Sequence, residues 1–109
     1  MARILVTLIS SPETTAGRRA LALAGALTDQ GHALTLCCLQ DAVLLGSSRA
    51  PAESRAALDR LLDHGAHCVV AEDDLALRGL EAGARASALG YAGLAEALAA
   101  GHERVIGAL

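Results

Sequence analysis

The stretch Gly65-Ala66-His67-Cys68-Val69-Val70-Ala71-Glu72-Asp73-Asp74-Leu75-Ala76-Leu77-Arg78-Gly79-Leu80 decides the fold. Its first half is a short apolar run rich in β-branched residues. Its second half opens on three acids, which complement the positive end of a helix. The pattern predicts a buried strand that turns directly into a helix. In an open α/β sheet such a junction is where sites form, because loops diverge at the carboxyl ends of parallel strands and helix N-termini present unpaired N–H groups. The residue at the tip is Ala71, whose methyl group has no chemistry of its own.

Working outward, the same alternation repeats. Arg3 to Ile9 is an apolar run with β-branched Ile4, Val6, Thr7 and Ile9, as expected of a strand covered on both faces. Ser10-Ser11-Pro12-Glu13 offers a helix start with a hydroxyl cap, a proline needing no N–H and an early acid. Ala20, Leu21, Leu23, Ala24 and Leu27 follow at helical spacing, and Gln30-Gly31-His32 stops the helix with glycine. Ala33 to Leu39 reads as a second strand parallel to the first. Gln40 to Leu45 reads as a short apolar turn or helix and Gly46 to Ala50 as a surface loop. Pro51 opens a helix through Leu58, Leu61 and Leu62, ended at His64-Gly65. After the central stretch come a turn region over Glu81 to Arg85, a brief strand over Ala86 to Leu89, a helix over Leu94 to Ala99, and a last strand over Arg104 to Leu109. The alternation predicts one domain spanning residues 1–109, an α/β three-layer sandwich with a mostly parallel sheet of about five strands.

Composition narrows the function. The 109 residues carry 53% hydrophobic and 19% charged side chains, and no apolar run is long enough to span a bilayer or serve as a leader. The expectation is a cytoplasmic protein with no membrane partner. One aromatic residue, Tyr91, cannot make a stacking platform, and at a net charge of −3 the arginines are scattered, so nucleic acid is not an expected partner. A small apolar domain of this kind buries more surface by associating, which predicts an oligomer.

The candidates for chemistry are few. Cys37 and Cys38 are adjacent on one strand and so point to opposite faces, both as small core residues. Cys68 falls within the third strand, where burial is expected to raise its thiol pKa. No Cys-x-x-Cys pair is present, His32, His64, His67 and His102 lack the spacing of a metal pair, and Glu72-Asp73-Asp74 suits a helix cap better than a cation. No metal site and no cofactor are implied. The start of the first helix at Ser11, helped by Arg18 or Arg78, is a candidate for a small anion.

With these residues in order, the chain resembles the DsrE/DsrF-like family, small α/β proteins of sulfur relay. The resemblance rests on the strand ending in Ser10-Ser11-Pro12, the helix closing on Gly31-His32, Gln40-Asp41-Ala42-Val43 where the family tends to show Asp-Gly-Val, and Leu94-Ala95-Glu96-Ala97-Leu98 running into Arg104-Val105-Ile106. Sulfur-carrying members resemble Gly-x5-Cys-x6-Arg-Gly. Gly65, Arg78 and Gly79 stand in that register, with Ala71 where the cysteine belongs and Cys68 out of register. The resemblance implies two readings. One is a non-catalytic member, a trimer or hexamer or a subunit of a hetero-oligomer, holding a ligand or a sulfur-carrier partner through Ser10, Ser11, Asp41, Ala71, Asp74 and Arg78. The other is a sulfurtransferase, or persulfide carrier, that uses Cys68 as its catalytic thiol. The first is preferred, because a thiol in mid-strand is desolvated and alanine cannot be a nucleophile.

Overall fold

Five parallel strands make one sheet in the order β4-β3-β2-β1-β5 in the structure, a computed structural model that describes residues 1–107 and 109. The strands are β1 (Arg3–Leu8), β2 (Ala33–Cys38), β3 (His67–Ala71), β4 (Ser87–Leu89) and β5 (Arg104–Ile106). The helices are α1 (Thr15–Asp29), α2 (Ala52–Asp63), α3 (Glu72–Leu77) and α4 (Tyr91–Leu98), with a 3-10 turn over Gln40–Leu44. The expected α/β class and strand count hold. Ala108, inside the expected last strand, lies outside the described residues.

Strand alternation sorts the side chains into two sheet faces. On the first face Ile4, Val6 and Leu8 pack with Leu34, Leu36 and Cys38, and with Cys68 and Val70. The buried residues of α1 are Gly17, Ala20 and Ala24, and those of α2 are Ser54, Leu58 and Leu61. Most of these helix residues are small, which suits a close approach of helix backbone to sheet. Leu23, placed on the same stripe by its spacing, instead faces solvent at 37% exposure. The second face carries Leu5, Thr35, Cys37, Val69 and Ser87 in register. Helix α4 lies over this face, with Gly93 against the Leu89 side chain. It carries the chain from β4 at one edge to β5 at the other.

Two local expectations are corrected. The first helix begins at Thr15 rather than at Ser11: Thr14 is the cap, and its Oγ1 accepts the Gly17 N–H at 3.0 Å. Ser11 instead heads a turn, its carbonyl accepting the Thr14 N–H at 3.0 Å. Gly17 packs on that turn so closely that a Cβ there would overlap the Ser11 carbonyl, which is why glycine stands at this point. The segment Gly46 to Ala50 is not simply a surface loop, since Gly46, Ser47 and Ala50 are buried. Ser47 bridges to Ala82, and Gly83 N–H donates to the Gly46 carbonyl at 2.8 Å. A Cβ on Gly46 would run into Val70, so the missing side chain is what lets this loop press against β3. The helix stops at Gly31 and Gly65 hold, with φ of 86° and 97°.

Candidate functional site

The strand β3 passes into α3 with no residue between them, as the sequence predicts. Ala71 is both the last strand residue and the cap of α3, and it is buried, at 4% exposure. The Ala71 methyl group is therefore covered, although Asp41, which follows β2, stays 70% exposed.

Around this junction the structure joins three of the expected residues. Arg78 donates from Nε and Nη2 to Asp41 Oδ1 at 3.2 and 3.0 Å, and from Nη1 to the Asp74 carbonyl at 3.1 Å. Asp74 Oδ2 accepts the Gln40 N–H at 2.8 Å, while Asp74 Oδ1 stands 3.8 Å from Arg78 Nη1. Gln40 holds the left-handed conformation with φ of 52°, which turns its amide onto Asp74 at the exit of β2. The network thus clamps the 3-10 turn after β2 to the helix after β3. Asp41 is 70% exposed and the Arg78 side chain 32% exposed, so the ion pair stands in water and is worth at most about 1 kcal/mol.

Ser10 and Ser11 do not join this network. Ser10 N–H donates to the Leu109 carbonyl at 3.1 Å, and Ser11 Oγ accepts the Glu13 N–H at 3.3 Å. With the helix start moved to Thr14, the anion site expected at Ser11 loses the N–H groups that would form it.

Cys68 sits in the core at 4% exposure, and its Sγ lies 4.0 Å from the Sγ of Cys38, itself fully buried. This contact was not anticipated from the sequence, and it corrects the expected pKa. A hydrogen bond from Cys38 pulls the Cys68 thiol below its ordinary value despite burial, while the same bond together with burial pushes the Cys38 thiol well up. Cys37, on the opposite face at 1% exposure, is raised by burial. The opposite-face placement of Cys37 and Cys38 holds. Of the histidines, His64 meets the Arg60 carbonyl at 2.7 Å in the last turn of α2, and His32 Nδ1 accepts the Ala2 N–H at 3.0 Å. His102 stands against Thr35, with Nε2 at 3.4 Å from its Oγ1. Among the described residues no helix is long and apolar enough to cross a membrane.

The crystal structure of the ychN protein from E. coli superposes on this chain with a TM-score of 0.81, covering 98% of this chain and 99% of that one at 21% identity. The two chains share one fold. No protein-family model matches the sequence, and none of the curated proteins does. In this shared fold, then, the strand tip of the present chain ends on a buried alanine, and the helix that this alanine caps ends on an arginine held by two aspartates.

Proposed function

We propose that the chain is a non-catalytic, oligomeric relative of the DsrE/DsrF-like sulfur-relay proteins that holds a small ligand or a sulfur-carrier partner at its strand tips. The observation that carries this reading is the position of Ala71: it ends β3 and caps α3 in the register Gly65, Ala71, Arg78, Gly79, where the resemblance calls for a nucleophilic cysteine. An alanine accepts no sulfur, and neither the carboxylates of Asp41 and Asp74 nor the guanidinium of Arg78 replaces a thiolate. What is left is a clamped, charged tip suited to recognition.

Assembly is supported by α4. Its sequence is apolar except for Glu96, yet none of its residues is buried. Tyr91 is 85% exposed, Leu98 49%, and Val105 on neighbouring β5 58%. A helix this apolar on one isolated domain exposes a patch that a second copy would cover. The preferred states are a homotrimer or homohexamer, with a place in a hetero-oligomer as the alternative. Three free thiols suit the reducing cytoplasm.

The second reading, a sulfurtransferase working through Cys68, is favoured by one observation, the hydrogen bond that lowers this thiol. Against it stands access: a persulfide donor must reach the sulfur, and Cys68 is closed inside the core. Exposure of the wild type and of Ala71→Cys to a persulfide donor, followed by mass spectrometry, separates the two.

A further inference from the structure

We propose that the groove between the second sheet face and the C-terminal end of α4 binds a small organic monocarboxylate, an apolar body carrying one negative charge. The groove is open to solvent and offers about 740 Å³, within the range of small-molecule sites. It lies at the opposite end of β3 from Ala71 and does not rest on the reading of that residue. Thr35, Val69 and Ser87 form its floor, and Ala97 and Ala100 line it from the α4 side.

Its charge sets it apart from the rest of the molecule. The chain has 12 acidic and 9 basic residues, yet the groove is lined by Arg3, His67, Arg85 and His102 with no carboxylate among them. These four are not equivalent. Arg85 is occupied by Asp59 at 3.2 Å and Asp63 at 2.8 Å, so its charge is already balanced. Arg3 donates from Nη2 to the Ala100 carbonyl at 2.8 Å, and among the described residues its guanidinium has no carboxylate within ion-pair distance. Glu103, the nearest acid on the adjoining loop, is turned to the Arg3 backbone amide at 3.4 Å. One guanidinium fixed by one bond keeps its other N–H donors for a ligand and balances a single negative charge.

The second observation is His102. Its Nε2 faces Thr35, and its Nδ1 is buried with no hydrogen-bond partner. A buried ring nitrogen with no partner from the folded chain is costly, and a ligand that turns the His102 ring toward the groove would relieve that cost. Apart from the hydroxyls of Thr35 and Ser87, the lining, Leu62, Ala66, Val69 and Ala97 among it, offers apolar contact. That favours an organic body over a bare inorganic anion.

Calorimetric titration of the full chain tests this with three probes at constant ionic strength: benzoate, benzyl alcohol with the body but no charge, and inorganic phosphate with charge but no body. Benzoate should bind at one site per chain, at least tenfold tighter than either of the others. Arg3→Gln should weaken benzoate at least tenfold. Because Arg3 also ties down Ala100, Ala97→Leu, which fills the groove and keeps the arginine, provides a second check and should likewise weaken benzoate. No saturable benzoate binding, equal binding of all three probes, or undiminished benzoate affinity in either folded variant would overturn the proposal.

Discussion

Cys38 Sγ lies 4.0 Å from Cys68 Sγ, inside the core between β2 and β3. Cys68 is registered with Leu36, so Cys38 stands one pleat further along its strand on the same sheet face, and the two thiols meet diagonally. The contact explains the chemical character of both. The two thiols share one S–H···S hydrogen bond, both are buried, and the lowered thiol at Cys68 comes from that bond. In the native protein all three cysteines should resist a maleimide for hours and react fully once denaturant is added. Fast native labelling of Cys68 would show that the core opens at this point.

The same thiols set a pH dependence. Cys37 and Cys38 keep their protons above the ordinary thiol range in the folded chain, whereas the unfolded chain releases them near pH 8.5 (about that value for a free cysteine). The native state then binds more protons than the unfolded one, so this stability is fully present below that range and falls as pH rises through it. Cys68, shifted the other way, offsets part of the loss. The urea midpoint should be level around neutrality and fall above about pH 9, and less steeply in Cys38→Ala. A midpoint level through the alkaline range would contradict the buried-thiol account.

Much of the fold is legible in the chain because its signals are local. The β-branched run of β1, the direct passage from Val70-Ala71 into Glu72-Asp73-Asp74, and the stops at Gly31 and Gly65 depend on neighbours in sequence alone. The start of α1 is not legible in the same way, since Ser10, Ser11 and Thr14 are all competent caps and the choice is made by how Gly17 seats on the Ser11-Pro12 turn. The Cys38–Cys68 contact follows from the register between two strands separated by the 28 residues from Leu39 to Ala66, a tertiary fact no spacing rule encodes. At the candidate site the resemblance names Asp41, Asp74 and Arg78 among its residues, but their ion pairs, the burial of Ala71 and the separate bonding of Ser10 and Ser11 depend on tertiary contacts.

Gly46→Ala should destabilise the domain by about 1–3 kcal/mol, because the added methyl meets Val70, which is itself fully buried. Chemical denaturation reads this directly. By contrast Arg78→Ala should change stability by less than about 1 kcal/mol, as its nearest partner, Asp41, is 70% exposed. A larger loss in Arg78→Ala would mean that the strand-tip clamp is structural rather than available for recognition.

Light scattering of the wild type should give a mass of three or six chains at micromolar concentration. Ala95→Glu, which places a charge on the exposed apolar side of α4, should dissociate it without loss of helical circular dichroism. A monomeric wild type, or an assembly indifferent to Ala95→Glu, would remove α4 as the interface.

The central claim is that the strand tip lacks its nucleophile, and the measurement that bears on it most directly is mass spectrometry after exposure to a persulfide donor. The wild type should carry no added sulfur on any cysteine. Ala71→Cys extends the side chain past the covered methyl group, at the strand end where α3 begins, and should take up sulfur at residue 71, and loading should persist when Cys68 is replaced by serine. Sulfur found on Cys68 of the wild type, and lost in Cys68→Ser, would contradict the account and establish the sulfurtransferase in its place.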